Sequence, residues 1–415
     1  MTRAKMLALS TAMALTLPAM ARAADPADVV STYADIAAAG YADSLSTAKA
    51  LQAAVDALIA APSEETLKAA RDAWLASRAP YQQTEVFRFG NAVVDDWEGK
   101  VNAWPLDEGL IDYVAQGTAE NEENALAGLN VIATPKFTLS GTEVDATEIT
   151  PALISDTLQE ADGIEANVAS GYHAIEFLLW GQDLNGTEAG AGNRPYTDYV
   201  QGDGCTGGNC DRRAAYLKAA TDLLVSDLEF MAAQWAEGGE GRATVTADPQ
   251  AGLMAMLTGM GSLSYGEQAG ERMKLGLVLN DPEEEHDCFS DNTHNSHYYD
   301  GLGVRNVYLG SYTRVDGSVV SGPSLSELVA EKDAAVDGQL KAELDASVAA
   351  LGAIKAAAEG GFAYDMMLAP GNKEGEALIM GGVNGLVTQT KSIERAVAAL
   401  GLSKIDFEGS DSLDN

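Results

Sequence analysis

Basic residues are scarce in this 415-residue chain, with 26 Lys and Arg against 62 Asp and Glu and a formal net charge of −36. So acidic a surface argues against nucleic-acid binding and against docking on anionic lipid, since both need Lys/Arg footprints. It attracts cations and favours solubility. Long apolar runs are also missing. Beyond the N-terminus no stretch reaches about 18 uninterrupted apolar residues, the length a transmembrane helix needs. Cysteine is confined to Cys205, Cys210 and Cys288, and histidine to His173, His286, His294 and His297. Two neighbouring thiols without a second pair give too few ligands for a cysteine-built metal site. The H-E-x-x-H motif, which gives helical zinc peptidases two ligands and a general base within five residues, is absent as well.

What is present begins with an export pattern. Arg3 and Lys5 precede an apolar run from Met6 to Leu17, and Ala21-Arg22-Ala23 supplies small residues for cleavage. Residues 1–23 therefore read as a signal peptide, with a mature chain starting at Ala24 and free in the periplasm. Cleavage also removes Arg3, Lys5 and Arg22, so the mature chain is still more acidic. In an oxidising compartment Cys205 and Cys210, which bracket a Gly-rich loop, are expected to form a disulfide; Cys288 is left over.

The remaining roughly 390 residues exceed what one core usually serves, so two domains are expected, over 24–204 and 205–415. Ala-rich amphipathic stretches point to an all-α fold of two helical bundles. Leu51, Val55, Leu58 and Ile59 fall on one helix face between Ser44 and Ala61, and Ser63 reads as the N-cap of the next helix. In that helix Trp74, Arg78, Tyr81 and Glu85 form a stripe that turns from apolar to polar, with Pro80 expected to kink it. Residues 99–150 read as irregular structure with short helices. A long helix is expected from Asp156 to Trp180, another over Ala214–Gly238, and one from the Asp248-Pro249 cap to Leu279. Residues 281–323 read as a long, largely non-helical acidic loop containing histidines. Ser324 and Glu327 form a capping box for a following helix. Helices then run to Glu359 and over Glu374–Leu400.

Two stretches carry chemistry. His173 and Glu176 sit three apart within a helical pattern, which puts imidazole and carboxylate side by side on one face. Such pairs build metal sites inside bundles, although the same spacing also suits a core histidine bonded to its neighbour. Gly171 would let another backbone approach closely. The second stretch, Glu283 to His297, holds Glu, Asp, His or Cys at nine of fifteen positions. A solvated acidic loop accounts for Glu283–Glu285 but not for three of the four histidines. His286, Asp287 or His294 could complete a site begun by His173 and Glu176, and Glu85 with Tyr81 would face that pair if the polar stripe turns inward. Imidazole with carboxylates suits iron, manganese, zinc or copper, and added carboxylates favour iron.

Gly171-Tyr172-His173-Ala174-Ile175-Glu176 matches the G-x-H-x-x-E motif of the imelysin family, which the chain resembles. The runs Glu284–His294, Cys205–Arg213 and Gly301–Tyr308 are similar to its iron-regulated branch. The resemblance implies two related four-helix bundles, a site near their interface and a role in bacterial iron acquisition. The implied cargo is a metal ion or iron chelate, iron before zinc, with envelope transport components as partners. The metal ligands on this reading are His173, Glu176, Glu85, His286 and Asp287, with Arg78, Tyr81, Gly171 and His294 as neighbours. Some relatives are described as metallopeptidases, which makes a zinc peptidase using the His-x-x-Glu pair the alternative. A peptidase needs three protein ligands, an open water position and a separate base, whereas a binding site needs only donors. Metal capture is therefore the favoured expectation.

Overall fold

The Ala-rich amphipathic segments are helices, and local chemistry sets their ends. Asp25 caps the first helix, with Pro26 at its first position. Ser63 and Thr66 cap each other's backbone at the second, Asp248 precedes Pro249 as expected, and Ser324 with Glu327 closes a capping box. The computed structural model describes residues 24–115 and 124–414. The expected signal peptide at 1–23 lies outside the described residues. No described helix is long and apolar enough to cross a membrane.

Four helices, Pro26–Ala60, Glu64–Gln82, Gly171–Trp180 and Cys210–Trp235, pack together as one bundle. A second group comprises Thr293–Leu309, Ala334–Glu359, Lys373–Ala399 and the long helical stretch Pro249–Leu279. That stretch widens to π geometry over Leu263–Lys274. The only sheets among the described residues are two antiparallel hairpins. Lys136–Leu139 pairs with Thr142–Asp145, Phe137 opposite Val144, and Ser311–Thr313 pairs with Val319–Ser321, Tyr312 opposite Val320. The fold is all-α in class, as expected. One hydrophobic cluster, from Val29 to Ile405, draws on both groups of helices, and a smaller one around Met273, Leu351 and Leu386 belongs to the second.

Several expectations need correction. Cys210–Trp235 packs along Pro26–Ala60, so the first bundle lacks its fourth helix if it is cut at residue 205. The first helix starts at Pro26 rather than Ser44, because small buried residues such as Ala34, Ala37 and Gly40 continue its inner face. The helix expected over Asp156–Trp180 is broken. Ile154–Leu158 is one wide turn, Glu160 and Asp162 adopt left-handed φ values of 52° and 59°, and helix resumes only at Gly171. Gln159 accepts hydrogen bonds from the Ala169 and Ser170 backbone and so closes the intervening loop.

The segment 281–323 is not largely irregular, because Thr293–Leu309 is a 17-residue helix. Its buried side includes Thr293, Ser296, His297 and Asp300, so a periodicity of apolar residues alone does not reveal it. Glu64–Gln82 ends two residues after Pro80, and Glu85 opens a separate short turn, Glu85–Phe87. The Trp74–Glu85 stripe therefore does not continue along one helix.

Candidate metal centre

The Gly171–Trp180 helix is fully buried and is held by its first residue. Gly171 has φ +78°, and a Cβ there would lie 2.4 Å from the Val101 carbonyl oxygen. The next amide, that of Tyr172, donates to the same oxygen at 2.7 Å. Only glycine combines that torsion with that approach. One turn of helix then sets His173 Nδ1 3.0 Å from Glu176 Oε2. The other Glu176 oxygen accepts from the Ser290 backbone amide at 2.9 Å and the Ser290 hydroxyl at 2.6 Å. Both carboxylate oxygens are thus engaged within the protein, while His173 Nε2 is buried with no hydrogen-bond partner.

The second chemical stretch folds onto this pair. Asp287 Oδ1 lies 3.9 Å from His173 Nδ1, and the His286 and His173 rings meet edge to face at 4.8 Å between centroids. His173, His286 and Asp287 can each offer one ligand atom, all within 4.8 Å of one another. Asp287 is held on every side. Arg78 donates to its Oδ1 at 2.7 Å, Asn292 to its Oδ2 at 2.7 Å and Ser296 also to Oδ2, while its own amide donates to Thr293 Oγ1. Arg78 is oriented in turn by Asn102 at 2.7 Å and by the Tyr172 ring face at 4.9 Å. His286 Nε2 is 3.3 Å from the Asn102 amide nitrogen.

Electrostatics here follow from burial. Desolvation pushes His173 and His286 well below the usual imidazole range, helped at His173 by Arg78 and at His286 by Arg272. Both rings are neutral at physiological pH, the state in which imidazole coordinates metals. Burial, followed by the nearby Asp287 charge, raises Glu176 well above the carboxylate range. Burial also works to raise Asp287, but Arg78 outweighs it and holds the carboxyl below its ordinary value. An arriving cation would favour charged carboxylates and leave the neutral rings as donors.

An open cavity of about 440 Å³ reaches the edge of this group, where Asn102, Trp104 and His286 line it. Its walls also carry Glu98, Glu160, Glu165, Glu267 and Glu284, against Arg88 and Arg272. The surplus of carboxylates gives the mouth a field that draws cations in.

Of the residues expected at the site, His173, Glu176, His286, Asp287, Arg78 and Gly171 come together. Glu85 does not join the converging group. It is buried in an ion pair with Arg272 at 2.6 Å, and Arg272 also binds Glu267 and Asp300. Tyr81 packs against Tyr172, the rings tilted by 48° at 4.8 Å, beside the pair rather than in it. His294 bonds to Asn295 and is lowered to about 4, by burial first and Lys355 second. Sequence reasoning did not single out Asn102, Ser290, Ser296 or Arg272. Ser290 and Ser296 lie within the dense polar run, which was their one signal; Asn102 and Arg272 had none.

A sequence profile described as imelysin matches residues 37–393. The chain belongs to the imelysin family. Among its relatives, iron-regulated protein A of Synechococcus elongatus is 28% identical over 136 residues, which is 33% of this chain and 36% of that protein. The match thus spans about a third of that relative's length. A solved structure from Parabacteroides distasonis, provisionally assigned as an iron-regulated protein A precursor, aligns with a TM-score of 0.65 at 19% identity. It covers 90% of this chain and 95% of that one. An imelysin-like protein from Psychrobacter arcticum aligns with a TM-score of 0.58 at 16% identity, covering 93% and 100%. At these identities the structures share the imelysin fold with this chain. In this imelysin-family protein the G-x-H-x-x-E motif supplies the close backbone approach at Gly171, the free imidazole nitrogen of His173 and the carboxylate of Glu176 that fixes its ring.

Proposed function

We propose that this protein is a periplasmic metal-binding protein serving iron uptake, and that His173, His286 and Asp287 hold the metal. The observation that carries the reading is the buried convergence of two imidazoles and a carboxylate, with ligand atoms within 4.8 Å of one another, in a group where His173 Nε2 has no hydrogen-bond partner. A buried nitrogen without a partner is costly unless something satisfies it. Two imidazoles with one carboxylate form a donor set that iron takes up with positions left open, and zinc accepts it too. The iron-regulated name of the Synechococcus relative supports iron.

Glu176 acts on this reading as the group that orients His173, because its Oε2 bonds that ring while Ser290 fixes its Oε1. Its partner Ser290 follows the turn bearing His286 and Asp287, so one carboxylate fixes the ring and fastens the opposing ligands. The metal would supply charge for capturing a chelate or for release to an envelope transport component.

The test combines elemental analysis of protein from its native periplasm with calorimetry of iron and zinc binding. His173→Ala should abolish tight binding. Glu176→Gln should weaken it by roughly 10- to 100-fold, the usual effect of losing an orienting partner. A zinc peptidase with Glu176 as general base would behave otherwise: Glu176→Gln would retain metal and lose chelator-sensitive proteolysis by roughly 10²–10⁴-fold. That second pattern would overturn the binding reading.

A further inference from the structure

The turn that carries His286 and Asp287 is flanked by two further carboxylates, Glu285 and Asp291. Asp291 meets Asp183, just past the Gly171–Trp180 helix, and Asp365, in the Tyr364–Leu368 helix. The three aspartates can offer oxygens all within 4.8 Å of one another. Glu285 and Asp365 are each 1% exposed, and their carboxyls act directly on one another. Asp365 is within hydrogen-bonding reach of Glu285 and of Asp291, and Glu285 of Thr293, but with all four carboxyls ionised Asp291 Oδ1, both oxygens of Asp365 and both of Glu285 are buried without a partner. The remaining bonds point outward from the group. Asp291 Oδ2 accepts from the Gly190 amide at 3.1 Å, and Asp183 Oδ1 accepts from the Asn185 amide at 2.8 Å. Among the described residues no lysine or arginine ion-pairs with any of the four.

Four carboxyl groups crowded without a cation oppose ionisation, and Asp365 is accordingly pushed up to about 8, by burial first. Shared protons can bridge Glu285 to Asp365 and Asp365 to Asp291, but they leave the four carboxyls without a counter-charge once ionised. A cation would satisfy them together. We propose that Asp183, Asp291, Asp365 and Glu285 form an oxygen-only cation site of calcium type, separate from the histidine site. Calcium takes six to eight oxygen ligands in flexible geometry, and with neither imidazole nor thiol nothing here favours a transition metal. Asp183 comes from the first bundle's side of the chain, Asp365 from the second, and Glu285 and Asp291 from the turn between. A bound ion would therefore fasten the turn that presents His286 and Asp287.

The experiment uses full-length mature protein stripped with chelator and titrated with calcium chloride, followed by calorimetry and thermal unfolding. One calcium per chain should bind and raise Tm, and His173→Ala should retain that rise. Asp365→Asn replaces a carboxyl that is largely protonated near neutrality without calcium by an amide of the same shape, so it should melt close to the calcium-free parent while losing the calcium-dependent rise. Asp183→Asn, at a half-buried position, should weaken calcium binding by about tenfold or more; it decides the matter if Asp365→Asn does not fold. The proposal is overturned if the parent shows no calcium-dependent rise, if the rise survives undiminished in Asp183→Asn, or if His173→Ala abolishes it. Because iron binding is read separately, failure here leaves the reading of the histidine site standing, and the reverse holds too.

Discussion

Two residues, Gly171 and Asp112, show how much depends on single atoms in this protein. Gly171 has no room for a methyl group, since the Val101 carbonyl oxygen sits 2.4 Å from where a Cβ would be. Gly171→Ala should cost about 2–4 kcal/mol, from left-handed strain plus overpacking. It should also lower metal affinity, because the displaced helix start carries His173. A denaturant midpoint and a metal titration on one preparation check both effects. Asp112 lies buried between Arg194 at 2.8 Å and Arg213 at 2.6 Å. Burial works to raise it, but the two guanidinium groups hold its folded pKa below the ordinary value. Its contribution to stability is thus complete above the unfolded carboxyl value of about 3.9 and is lost as pH falls through the folded one. Asp112→Asn should cost about 3–5 kcal/mol near neutrality by leaving two arginines underpaired, with the difference from the parent shrinking in acid. Urea unfolding at several pH values measures this.

Among the elements, the Cys210–Trp235 helix is tied at its first residue by the Cys205–Cys210 disulfide. So short a closed loop restricts the unfolded chain modestly, and Cys205→Ser with Cys210→Ser should lose roughly 2 kcal/mol. Mass mapping without reductant should find the two joined and Cys288, which is buried, free. The caps were legible in the sequence because Ser63, Asp248 and Ser324 act on backbone within three residues of themselves. The Gly171–Trp180 helix was legible in part: its apolar face showed, but its start did not. Nothing local at Asp156 announces that Glu160 and Asp162 will turn left-handed, and the loop they begin is held by Asn124 and Asn167, 43 residues apart. The Thr293–Leu309 helix was hidden for a different reason. The inner face of its first half, Thr293 to Asp300, is polar, so a search for buried apolar residues looks past that half. The histidine pairings were visible as a density of donors, whereas the exclusion of Glu85 was not, because its capture by Arg272 depends on a contact 187 positions away.

For the whole molecule, charge and assembly matter most. A chain with 62 acidic residues and a carboxylate-rich mouth should capture cations quickly at low ionic strength and several-fold more slowly at about 0.5 M salt, where the field is screened within a few ångströms. Stopped-flow measurements of metal association across a salt series should show the rate falling while equilibrium affinity changes far less. The candidate metal centre draws Arg78, Asn102 and His173 from one stretch of sequence, and His286, Asp287 and Ser296 from another that begins more than a hundred residues later. Neither half alone holds the complete set. Retained metal would then report that the two bundles are docked, as a lock needing two keys reports that both are present, and a protease nicking the chain between them should release the cargo as soon as the halves part.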